Sequence, residues 1–132
     1  METIIHIGYP KTATSWLQRE FFPKVKNVSI IPRNILFRDI FEIEDFVPDY
    51  KSIRKKYSNY KSKIIISDHG FVGTTHSFGY RSYLTRENGY RLKNIFPESK
   101  IIIFIRNQMD IIASTYIQYL KTGGTYSVSK YI

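Results

Sequence analysis

The chain has 132 residues, 42% hydrophobic and 16% aromatic, with no cysteine and with 20 Lys+Arg against 11 Asp+Glu for a net charge of +9. That apolar content excludes a disordered chain, and the absence of cysteine excludes disulfides, thiolate metal sites and cysteine nucleophiles. Apolar runs of at most five residues are too short for a membrane-spanning helix, and the N-terminus lacks the basic stretch and long apolar core of a secretory signal, so a cytoplasmic chain is expected. The excess of positive charge predicts a polyanionic partner: nucleotide phosphates, nucleic acid, an acidic glycan or a membrane surface.

Residues 4–7, Ile-Ile-His-Ile, read as a short strand that ends at Gly8-Tyr9-Pro10, and residues 14–22 read as a helix stopped by Pro23. Residues 28–31 form a candidate second strand. A helix is expected over residues 49–60, inside a basic stretch carrying Lys51, Arg54, Lys55, Lys56, Lys61 and Lys63. Residues 63–67 and 100–105 are uninterrupted runs dominated by isoleucine, the pattern of parallel, central strands buried on both faces. Between them residues 86–96 read as a helix closed by Pro97. After them residues 109–120 place Ile112, Tyr116 and Tyr119 on one helix face before Gly123-Gly124 ends it. Strands alternating with helices predict an α/β fold, a parallel sheet flanked by helices in one domain over residues 1–132.

In open α/β sheets ligands gather where strand ends lead into helix starts. Three such places stand out. The first, Gly8-Tyr9-Pro10-Lys11-Thr12-Ala13-Thr14-Ser15, supplies a glycine for a sharp turn, a lysine, three hydroxyls and successive backbone N–H groups, which together make an anion cradle. It departs from the nucleoside-triphosphatase loop, which needs a second glycine directly before the lysine where this chain has Pro10. The second, Ile105-Arg106 to Ser114, sets a planar fork of donors at a strand end with a hydroxyl eight positions on. The third is Ser67-Asp68-His69-Gly70. An imidazole with a pKa of about 6.5 can accept a proton near neutral pH. His69 is therefore a candidate base, with Asp68 as competitor should the strand register differ by one. His6 reads as a packed strand residue, and His76 carries no spacing argument.

The first two motifs resemble those of the sulfotransferases that use 3′-phosphoadenosine 5′-phosphosulfate (PAPS). The phosphosulfate loop of that family reads close to Gly-x-Pro-Lys-Thr-Gly-Thr-Thr, and here Ala13 stands for the glycine and Ser15 for the last threonine. The family's 3′-phosphate motif pairs a strand-end arginine with a serine eight residues later, as Arg106 and Ser114 do; Gln108 stands where proline is common.

The resemblance implies a P-loop-like sheet and transfer of a sulfuryl group from PAPS to an acceptor hydroxyl, without a metal ion. Lys11 would stabilise the leaving phosphate, Gly8, Pro10, Thr12, Ala13, Thr14 and Ser15 would surround the 5′-phosphate, Arg106 and Ser114 would hold the 3′-phosphate, and His69 or Asp68 would take the acceptor's proton. The family domain runs on beyond residue 132 to an Arg-Lys-Gly-type segment without a counterpart here. A fragment or degenerate relative, inactive alone and with apolar surface partly exposed, is thus expected. The cations from Lys51 to Lys63 with Arg81, Arg86, Arg91 and Lys93, and tyrosines such as Tyr80, Tyr83 and Tyr90, read mainly as solvated faces and packing, with an acidic or sugar acceptor as the alternative. Two other functions compete: a P-loop kinase-like phosphotransferase, weakened by the missing glycine, and a basic nucleic-acid-binding domain, for which no reading motif is present.

Overall fold

Isoleucine-rich runs extend because β-branched side chains pack well on a pleated surface and lose little freedom there. In the computed structural model, which describes residues 2–43, 47–60, 62–72 and 85–132, four such segments form strands. They are β1 (Thr3–Ile7), β2 (Val28–Ile30), β3 (Lys63–Asp68) and β4 (Lys100–Ile103), in one all-parallel sheet of order β2-β3-β1-β4. The register sets Ile5 between Ile66 of β3 and Ile101 of β4. Lys61, His76, Tyr80, Arg81 and Tyr83 lie outside the described residues.

Helices connect the strands. α1 (Thr14–Trp16) runs on as a π-helical turn (Leu17–Phe21) and a 3₁₀ turn (Phe22–Lys24). Pro23 therefore does not stop the helix where the sequence suggested. It occupies the opening positions of the 3₁₀ turn, where a missing N–H costs nothing. α2 (Arg33–Leu36), continued by a π turn over Phe37–Phe41, went unforeseen. α3 (Tyr50–Ser58) starts where Asp49 accepts from the Ser52 N–H at 3.1 Å, α4 (Thr85–Ile95) precedes β4, and α5 (Gln108–Lys121) follows it. The Asn107 side chain caps α5 by accepting from the Met109 N–H. α5 ends at Gly123, whose φ of 95° is in glycine's left-handed region, with the Gly124 N–H returning to the Tyr119 carbonyl. A short α6 (Val128–Tyr131) closes the chain, and the Tyr119 hydroxyl receives the Thr125 and Tyr126 N–H groups that lead into it.

Strand alternation divides the core. Ile5, Ile64 and Ile66 point to one face, against Leu36, Ile40, Tyr57, Leu92 and Ile95. Ile4, Ile65, Val28 and Ile30 point to the other, against Leu17 and Phe22. β3 has the double burial its sequence suggested, whereas β4 corrects the same expectation. It is an edge strand, all four of its residues are exposed, and Ile101 and Ile103 keep 59% and 49% of their surface. An apolar run reports only that a strand can be covered, and among the described residues nothing covers β4. No helix of the described residues is long and apolar enough to cross a membrane.

Candidate functional site

Because β3, β1 and β4 are neighbours and parallel, their C-terminal ends open side by side. The loops that leave them form one cleft of about 840 Å³. Residues 9–15 supply one wall, His69 another, and Phe104, Ile105, Arg106, Ser114 and Gln118 the third. The sequence placed Lys11, His69, Arg106 and Ser114 on three separate strand ends, and they meet here.

The first loop is held tightly. Gly8 donates to the Asp68 carbonyl at 3.1 Å, and a Cβ at this position would lie 2.7 Å from Thr14 Cγ2 and 3.1 Å from the His69 Cα, so only glycine lets the two loops approach. Past Pro10, Lys11 and Ala13 both take left-handed backbone angles, φ 62° and 61°, around Thr12. Left-handed residues are one ingredient of the backbone nests that bind anions. The conformation strains two non-glycine residues. Thr12 Oγ1 ties the loop back by donating to the Tyr9 carbonyl at 2.6 Å. Thr14 Oγ1 is buried on the cleft wall with no hydrogen-bond partner among the described residues. A buried hydroxyl without a partner is costly.

Charge follows the same plan. The Lys11 ammonium donates to the neutral Gln118 Oε1 at 3.0 Å, reaching from the β1 loop to α5. The Arg106 guanidinium donates through Nη1 to the Lys11 carbonyl at 3.4 Å, and its Nε lies 3.8 Å from the Asp110 carboxylate, a loose and exposed pair. Among the described residues lining the cleft there are two permanent cations and a histidine, and no carboxylate. Its potential is therefore positive, and the focusing effect of a cleft favours an anion.

The two candidate bases are separated by strand alternation. His69 lines the cleft with its side chain 46% exposed. Asp68 is fully buried beneath it: Oδ2 accepts from Arg33 Nε at 2.8 Å and Oδ1 from the Gly70 N–H at 2.6 Å. Its oxygens are engaged in holding the turn, 3.9 Å from His69 Nδ1. His6 is packed, as its place in β1 suggested. It sits between the Phe22 and Phe104 rings with Nδ1 2.8 Å from Ser67 Oγ and Nε2 unpartnered among the described residues, and burial pushes its pKa below the ordinary value.

Sequence reasoning missed Gln118, Arg33 and the apolar side chains Phe104 and Ile105 at the cleft wall. Gln118 had a signal: it lies one helical turn beyond Ser114 on the same face of α5. Arg33 had none, because its helix was not foreseen. Comparison of the chain with family models, with curated proteins and with solved structures gives no match.

Proposed function

We propose that the cleft binds PAPS and that the domain belongs to the machinery of sulfuryl transfer to an acceptor hydroxyl. The observation that carries this reading is the composition of one cleft. A left-handed loop with an unpartnered threonine hydroxyl, a lysine held by a neutral amide, and an arginine followed by a serine share one cleft whose lining carries no carboxylate among the described residues, Asp110 standing behind Arg106. A ligand with two separated anionic groups fits that pattern, and PAPS carries a phosphosulfate at one end of its ribose and a phosphate on the 3′ oxygen.

In this reading the Gly8 to Ser15 loop takes the 5′-phosphosulfate, and Arg106 with Ser114 takes the 3′-phosphate. The acceptor oxygen attacks sulfur in line as the bond from sulfur to the bridging oxygen breaks. The oxygen that leaves on phosphate gains negative charge, which the Lys11 ammonium stabilises. His69 takes the proton that the acceptor hydroxyl gives up, while Asp68 and Arg33 fix the turn that carries it. Asp68, saturated by Arg33 and Gly70, is the weaker choice for that proton.

Calorimetric titration with 3′-phosphoadenosine 5′-phosphate, ATP and an oligonucleotide separates this reading from its rivals. Tightest binding of the bisphosphate supports it. Preference for ATP would favour a phosphotransferase, and preference for the oligonucleotide a nucleic-acid-binding domain.

A further inference from the structure

The contact between Lys11 and Gln118 is not explained by ligand binding alone, since a lysine serving an anion needs no partner in the protein. It spans 107 positions of sequence and joins the β1 loop to α5. We infer that Gln118 is a positioning residue that holds the Lys11 ammonium at rest, and that an anion entering the cleft displaces it from Gln118. The inference rests on the anion-binding reading of the cleft and deepens it.

Three observations carry it. The acceptor is a neutral amide, so it orients the ammonium without cancelling the charge that an anion would need. The Lys11 backbone is in the left-handed region and its carbonyl receives Arg106 Nη1 at 3.4 Å, while its flexible side chain can swing without moving the main chain. Gln118 also lines the cleft one turn from Ser114, so the resting and the displaced ammonium occupy the same cavity. A carboxylate at position 118 would convert the rest position into an ion pair that an incoming anion must break.

The test uses the ligand-free protein and two probes, inorganic pyrophosphate and 3′-phosphoadenosine 5′-phosphate. Nuclear magnetic resonance of lysine Nζ follows Lys11 directly. Its resonance should move on Gln118→Ala and move again when either probe saturates the wild-type protein. Gln118→Glu should weaken pyrophosphate binding by about fivefold, the value of a strong exposed ion pair. In a Lys11→Ala background that penalty should shrink to about twofold or less, because the residue acts through the lysine. An unmoved Lys11 resonance in Gln118→Ala, an equal penalty in both backgrounds, or no response to either probe would each overturn the inference. Displacement by pyrophosphate with no binding of the bisphosphate nucleotide would support the inference and refute the nucleotide reading instead. Nucleotide binding with the Lys11 resonance still on Gln118 would do the reverse.

Discussion

Gly8→Ala tests how closely the loops of β1 and β3 approach. The added methyl would lie 2.7 Å from Thr14 Cγ2, 2.8 Å from Thr14 Oγ1 and 3.1 Å from the His69 Cα. Apolar atoms in good contact sit about 3.5–4.0 Å apart, so the first two distances are short by roughly 1 Å. Thr14 can turn about one bond. The His69 Cα belongs to the main chain, and it moves only if the β3 turn moves. Overpacking of this kind costs about 1–3 kcal/mol, which for a chain of this length lowers Tm by roughly 3–12 °C. Thr14→Ala removes both of the closest atoms, and the hydroxyl that goes with them has no partner to lose. The double variant should therefore recover about half of the loss, and the remaining His69 contact should keep it below wild type. Thermal unfolding of the two single variants, the double variant and the wild type measures all of this. An unchanged Tm for Gly8→Ala, or no recovery in the double variant, would refute the packing of these two loops.

Ala13→Gly should stabilise the protein by about 0.5–1 kcal/mol, because relief of the left-handed strain exceeds the entropy glycine adds to the unfolded chain; a lower denaturation midpoint would contradict the φ of 61°. Arg106→Ala should remove the preference for 3′-phosphoadenosine 5′-phosphate over adenosine 5′-phosphate in calorimetric titrations, and retained discrimination would mean that the 3′-phosphate is read elsewhere. His6 gives a pH dependence. Burial lowers its folded pKa below 6.5, so the unfolded chain takes up a proton that the folded chain refuses. Its contribution is complete above pH 6.5 and is lost as pH falls from there towards the folded pKa, with a limiting slope of about 1.4 kcal/mol per pH unit. Urea unfolding between pH 7.5 and 5.5 should show that slope in the wild type and a flatter one in His6→Gln; parallel curves would place His6 in a solvated site.

The sequence made the α/β class and all four strand positions legible, because short β-branched runs bounded by glycine, proline and charge have few other structural solutions. It also made the strand ends legible as a site. Lys11, His69 and Arg106 lie in the loops that leave three strands and Ser114 in the helix that follows the last, and parallel neighbours bring such ends together whatever the connecting helices do. What stayed hidden depends on partners distant in sequence. Nothing in residues 100–105 distinguishes an edge strand from a central one, since coverage is decided by what packs on it. The burial and engagement of Asp68 depend on Arg33, which reaches it from a helix with no legible period. Gln118 was visible as a neighbour of Ser114 on α5, but its hold on Lys11 needed the loop's left-handed turn to be known.

The central claim is that three loops make one anion site, and a backbone-amide titration with 3′-phosphoadenosine 5′-phosphate tests it most directly. The amides of Gly8, Lys11 to Ser15, Gly70, Arg106 and Ser114 should shift together along one binding curve with a single Kd. Shifts confined to one of the three loops, or separate curves for the β1 and β4 loops, would contradict it.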